Sequence, residues 1–260
     1  MEIPLGIVFN GIDAFLLIFV RMTGLFVIAP IFGRRNIPAY LKVGFALLSS
    51  IILVNTISLP KLNYTNFYEY GFLVAKEFVV GIVLGYVAYL MFTAIFLAGQ
   101  IIDTQVGFGM VNVMDPMSNI QVSISSNFYF IISMLMFLGL NGHLMLIRGL
   151  FDSYKLIPLG SAIFSDKLMN DIIAVFGSTF ALGFKIAAPI ITAILITDIS
   201  LGVISRALPQ MNVFVVGMPL KIFLGILIML ITIPMFISVL DLIINGMHSD
   251  LMNFIKDLAP

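Results

Sequence analysis

Few side chains in this sequence are equipped to do chemistry, and their spacing argues against catalysis. Cysteine is absent, so no thiolate nucleophile, disulfide or thiolate metal site can form. The two histidines, His143 and His248, lie far apart and lack the spacing of a helical zinc pair. A lone histidine near a helix end is more commonly a hydrogen-bonded packing residue than a ligand. Gly107-Phe108-Gly109 is too short for a phosphate loop, and neither a nucleophile elbow nor a glutamate pair placed for acid–base work appears. These features point away from an enzyme and imply neither a metal nor a cofactor.

Charges inside apolar stretches are the next candidates. Arg21 interrupts one such stretch, where an unpartnered arginine costs about 3 kcal/mol or more at a helix centre. Lys185 and Asp198 interrupt another. One reading is a multi-pass secondary transporter that moves ions or protons along Arg21, Lys185 and Asp198. The other is that these residues cap, pair or snorkel, with Arg21 finding a buried carboxylate such as Asp103. Transporters usually carry acids in mid-helix, and the first, second and fourth apolar segments and the body of the third have none.

The stretch Asp103 to Ser126 is a loop by turn chemistry, with Gly107, Gly109, Asp115 and Pro116. It also holds Phe108, Met110, Met114 and Met117, and no Lys or Arg. Irregular backbone this apolar survives at membrane depth only when buried in protein or lining a cavity. It reads either as a re-entrant packing loop or as a flexible plug, since unbranched Met side chains close around varied partners.

The elements that must position these residues follow from composition. Of 260 residues, 61% are hydrophobic and 10% charged, against about 25% charged in an ordinary soluble domain. Thirteen basic and 13 acidic residues leave no net charge, so neither disorder nor nucleic-acid binding is expected. An integral membrane protein is. About six hydrophobic segments run Ala14–Phe32, Val43–Leu59, Tyr70–Ile102, Phe128–Ile147, Ile172–Ile199 and Lys221–Ile244. The third exceeds a bilayer crossing, and Gly81 with Gly85, and Ala94 with Ala98, form small-xxx-small pairs that let helices approach closely. Arg148–Asn170 and Ser200–Pro219 read as polar connections and Asn245–Pro260 as a mildly amphipathic tail. Without tryptophan, tyrosines such as those between Lys61 and Glu69 must supply the interfacial belt. Charge bias does not orient the chain. Arg34, Arg35, Lys42, Arg206 and Lys221 on one side balance Lys61, Arg148, Lys155, Lys167 and Lys256 on the other. The fold class is all-α and polytopic, built of hairpins.

Three blocks carry a resemblance: FVRMTGLFVIAPIFGRRNIP (Phe19–Pro38), QIIDTQVGFGMVNVMDP (Gln100–Pro116) and RALPQMNVFVVGMPLK (Arg206–Lys221). Over almost its full length the chain resembles the FliR/SctT family of type III secretion export-gate subunits. The resemblance implies one export-gate domain over 1–260, with a FliP-like part at 1–170 and a FliQ-like helical hairpin and tail at 171–260. It implies one copy per complex beside several FliP and FliQ subunits, with FlhB around them, FlhA beneath, and unfolded proteins as cargo. The bacterial inner membrane and the flagellar basal body are the implied location, with lipid contact and much of the gate above the bilayer. The loop 106–122 becomes a pore plug that includes Gly107, Phe108, Gly109, Met110, Met114, Asp115, Pro116 and Met117. Arg21, Arg206, Pro209, Gln210, Asn212 and Phe214 become subunit contacts.

Overall fold

The structure is a computed structural model that describes residues 5–30, 37–57, 62, 64–108, 123–208, 210 and 212–260. The described residues form helices and no strand: α1 Leu5–Ile28, α2 Ala39–Thr56, α3 Phe67–Val106, α4 Ile124–Gly139, α5 Gly142–Leu156, α6 Asp166–Ala207 and α7 Val213–Leu258. Long runs of Leu, Ile, Val, Phe and Met go helical because a chain in lipid must satisfy its own backbone. Five helices (α1, α2, α3, α6 and α7) are long and apolar enough to cross a membrane, and α4 with α5 would make a sixth span bent by 62°. At about 1.5 Å per residue, the 40, 42 and 46 residues of α3, α6 and α7 reach about twice the bilayer's hydrocarbon core.

The helix boundaries correct the hydropathy reading. The fourth segment is two helices, broken at Asn141, whose φ of 58° is left-handed. The expected polar connections and tail are largely helical: α5 runs on to Leu156, α6 to Ala207, and α7 through Asn245 to Leu258. Arg148, Asp152 and Lys155 lower hydropathy but are good or tolerable helix residues. In α5 the buried face is Leu146, Gly149, Leu150, Ser153 and Tyr154, at helical spacing. Hydropathy marks where lipid contact stops; a helix stops where a breaker such as Pro158 follows.

Two compact units form, each drawing on separated stretches. The first holds Met1–Leu90, Leu140–Phe176 and Ile244–Pro260; the second holds Met91–Gly139 and Gly177–Ile243. In the first, α1 and α3 run in the same direction, Arg21 opposite Gly81 and Leu25 opposite Gly85. The approach is backbone to backbone: a Cβ on Gly81 would lie 2.1 Å from the Arg21 carbonyl oxygen. The Gly81–Gly85 pair thus makes the close contact expected of it. Tyr154 of α5 donates its hydroxyl proton to the Ile18 carbonyl (3.0 Å). The tyrosine-rich loop and the first turn of α3 meet α1, as Tyr64 donates to the Asp13 carboxylate and Tyr70 to the Asp13 carbonyl (3.2 Å).

In the second unit α4 runs back along the end of α3. Gly99 admits the Ser126 backbone, since a Cβ there would lie 2.2 Å from Ser126 N and Cα. Phe92 contacts Phe130 and Phe137, and Tyr129 packs on Phe236 of α7 at 4.4 Å between ring centroids. The pair α6–α7 is an antiparallel hairpin, with Leu201 beside Gly217 and Asp198 paired to Lys221. Burial separates the roles of the helices. In α3 67% of the apolar stretch is buried, whereas in α2 and α7 only 17% is.

Candidate functional site

Arg21 is fully buried in the first unit, and every donor group of its guanidinium faces this chain. Nε donates to Glu77 Oε2 at 2.5 Å, Nη1 to Ser153 Oγ at 3.2 Å, and both Nη atoms to the Ile157 carbonyl at 3.2 Å. The Tyr154 ring lies beneath it at 4.3 Å. Glu77, also fully buried, accepts from Gly160 N through its other oxygen at 2.7 Å. Gly160 has φ +79°, which frees that N–H to turn inward. One buried ion pair therefore ties α1, α3, α5 and the 157–160 connector together. The expected buried carboxylate partner of Arg21 is present, and it is Glu77 rather than the Asp103 named as an example; the hydrogen bonds of the guanidinium run to groups of its own chain. The reason is register: Gly81 brings the backbones of α1 and α3 together, and Glu77 sits one turn earlier on the same face.

Asp103 has a different task. Its carboxylate accepts from Ser125 N (3.0 and 3.3 Å), placing negative charge at the N-terminus of α4, where the helix dipole favours it. Ser126 Oγ donates to the Phe96 carbonyl at 2.8 Å, and Ser123 Oγ accepts from Ser126 N at 3.1 Å. Gly107, at φ +97°, closes α3 by donating its N–H to the Asp103 carbonyl at 3.0 Å. The glycine-methionine segment is thus clamped where it leaves α3 and where it enters α4, with one carboxylate at the junction. Gly107 and Phe108 are described; Gly109, Met110, Met114, Asp115, Pro116 and Met117 lie outside the described residues.

Beside this junction, in the same unit, the α6–α7 hairpin tip frames a cleft of about 580 Å³. Thr104, Gln105 and Gly107 line one side, and Asp198, Phe214 and Lys221 the other. Asp198 and Lys221 form an ion pair. At the tip Arg206, Gln210, Asn212 and Phe214 are exposed, Phe214 at 73%, and Pro209 lies outside the described residues. Asn212 Oδ1 accepts from Phe214 N at 3.1 Å, so this residue caps α7.

Each charge that a transporter would use is described within its own unit. Arg21 is spent on Glu77 in the first unit. In the second, Asp198 pairs with Lys221, and Lys185 is exposed on α6. His143, expected to be hydrogen-bonded, has a buried Nδ1 with no hydrogen-bond partner among the described residues. Glu77 and Lys221 were missed as functional partners. The Gly81–Gly85 pair marks a close helix approach in the sequence but not which helix it meets, so it did not single out Glu77. No cluster of His, Cys, Asp or Glu suited to a metal occurs among the described residues.

A chain of several long apolar helices, held by one buried ion pair and carrying an anchored glycine-methionine segment, is a polytopic α-helical membrane protein. The family model for bacterial export proteins, family 1, matches residues 12–247, and the chain belongs to that family. It is 35% identical over 240 residues to the flagellar biosynthetic protein FliR of Bacillus subtilis (strain 168), covering 91% of this chain and 90% of that one. To FliR of Aquifex aeolicus (strain VF5) it is 32% identical over 222 residues, 85% of each chain. To FliR of Escherichia coli (strain K12) it is 27% identical over 238 residues, 92% of this chain and 89% of that one.

Proposed function

We propose that this chain is a non-enzymatic subunit of the flagellar type III protein export gate in the bacterial inner membrane, at the flagellar basal body. It forms with FliP and FliQ the helical channel through which unfolded flagellar proteins leave. One copy enters each complex, FlhB and FlhA engage the assembly, and lipid covers what the subunits do not. The observation that carries the reading is the clamped segment at the α3–α4 junction, in a chain whose family exports proteins. Asp103 and Ser123–Ser126 hold both ends of a stretch that has Met and Gly but no Lys or Arg. Such a stretch can seal around varied chains without binding any one of them. The largely unburied apolar stretches of α2 and α7 support extensive contact with lipid or neighbouring subunits.

Two measurements test this. Native mass measurement of the complex purified through this chain should give several small hydrophobic partners in unequal copy number; a stable monomer or homo-oligomer contradicts the reading. Replacing Met110, Met114 and Met117 together by Gly should raise ion leak through the assembled channel. Unchanged conductance in a correctly assembled complex removes the plug role.

A further inference from the structure

Lys185 lies in the middle of α6 and is the only charged side chain between Asp171 and Asp198. Each of those acids is about 20 Å away along the helix axis, beyond the reach of a four-carbon stem. Lys185 is exposed and has neither a hydrogen-bond nor an ion-pair partner among the described residues. Within the second unit it is the opposite face of α6 that packs. Gly183 meets Leu97 and the Ala94 carbonyl of α3, and Ile186, Ala187, Ile190 and Ile194 are buried. The lysine therefore stands on the face of α6 turned away from its own unit.

The backbone at the same point is incomplete as well. Proline has no N–H, so Pro189 gives the Lys185 carbonyl no donor one turn on. An ammonium without an acceptor and a carbonyl without its helix donor stand together in a long apolar run. Against lipid both are strongly unfavourable. Gly177, Ala181, Ala188 and Thr192 share the exposed face with Lys185, at spacings of three and four residues. A Cβ on Gly177 would meet nothing, and the Thr192 hydroxyl donates to the Ala188 carbonyl of its own helix at 2.8 Å. The lysine is the longest of these side chains, so a second helix can come close on either side of it.

We propose that Lys185 docks an apolar helix of a different subunit, one that carries a carboxylate within its apolar stretch and lies along 177–192. This rests on the reading of the chain as a single copy in a hetero-oligomeric gate. Charge complementarity selects the occupant. Acyl chains offer the ammonium no acceptor, and an apolar helix without an acid leaves it unpaired. A carboxylate neutralises it through a charge-assisted hydrogen bond, and a hydroxyl or amide beside that carboxylate can donate to the Lys185 carbonyl. Such a pair fixes register and rejects partners that lack the acid. Lys185 thus sets which subunit lies against α6, and at what height.

The test uses the complex purified through this chain. Dicyclohexylcarbodiimide enters apolar sites and activates carboxyl groups; a lysine in contact then forms an amide with the activated carboxyl, the carbodiimide taking up the water. Peptide mass mapping should find Lys185 joined to an aspartate or glutamate of a different subunit. Lys185→Met keeps the length but not the charge, and should lower retention of that subunit by at least about tenfold, whereas Lys185→Arg should retain it. Helical circular dichroism of both variant chains should match that of the unsubstituted chain. A hetero-oligomer that gives no such cross-link, or that Lys185→Met leaves complete, overturns the proposal while the gate reading stands. A cross-link to an acid of this chain or of a second copy overturns it too. A stable monomer overturns both the proposal and the gate reading. The cross-link on the unsubstituted complex decides the matter even if a variant does not fold.

Discussion

Replacing Glu77 by Gln should cost about 3–5 kcal/mol of folding stability, the loss expected when one partner of a buried ion pair is removed. The geometry sets that magnitude. Arg21 and Glu77 are both fully buried, with Nε and Oε2 2.5 Å apart. Glutamine keeps the shape, and its amide oxygen can still accept from Gly160 N, which now donates at 2.7 Å. What disappears is the negative charge. The guanidinium is left with Ser153 Oγ, the Ile157 carbonyl and the Tyr154 ring, all neutral and all already present. The guanidinium cannot relieve the loss by giving up its charge, because arginine is not deprotonated in proteins. Removing both charges, as Arg21→Met with Glu77→Gln, should restore part of the loss, since apolar replacement of a whole buried pair is often close to neutral. The double-mutant cycle should therefore give a coupling energy of at least about 2 kcal/mol. Reversible denaturation of the purified chain in mild detergent, followed by helical circular dichroism, measures both quantities. A loss under about 1 kcal/mol for Glu77→Gln, or strictly additive single changes, would refute the argument that this pair ties α1, α3 and α5 together.

Three further substitutions test other joints. Gly81→Ala places a Cβ where the Arg21 carbonyl stands, 2.1 Å away, and should destabilise the chain by about 1–3 kcal/mol in the same assay; Gly44→Ala, with open space at its Cβ, serves as the control and should be close to neutral. Asp103→Ala leaves Ser125 N without its acceptor and should cost about 1–3 kcal/mol, whereas Asp103→Asn keeps an acceptor and should cost less. Asn212→Ala removes the α7 cap for about 0.5–2 kcal/mol; if the hairpin tip also docks on neighbours, Asn212→Ser, which caps equally well, should still reduce co-purification of partners.

Several features were legible in the sequence because they depend on local chemistry. The scarcity of charge and the length of the apolar runs dictate membrane helices, and Gly81 with Gly85 marks a close helix approach that the fold uses. The three sequence blocks pointed to the family that the comparison with bacterial export proteins bears out. Helix ends were less legible. Hydropathy falls at Arg148, after Ile199 and after Ile244, yet the helices continue to Leu156, Ala207 and Leu258. A polar residue leaves lipid without leaving the helix, so a hydropathy minimum is not a boundary. The break at Asn141 was missed because the apolar run continues on both sides, although Asn141-Gly142 is a turn dipeptide and asparagine tolerates the left-handed φ it adopts.

Charge partnership shows the same division. Sequence by itself determined that Arg21 must have a partner, because an arginine in an apolar run is too costly alone. It could not say which, since Glu77 and Asp103 lie on the same long helix and both are available. Tertiary structure decided for Glu77, because the register of α1 on α3 is set by backbone contact at Gly81 and Gly85. The same registration freed Asp103 to hold the α4 N-terminus at the base of the glycine-methionine segment. Composition determines that few charges can exist in such a protein. Which of them meet depends on helix register, a property of packed surfaces far apart in the chain, and no local pattern encodes it.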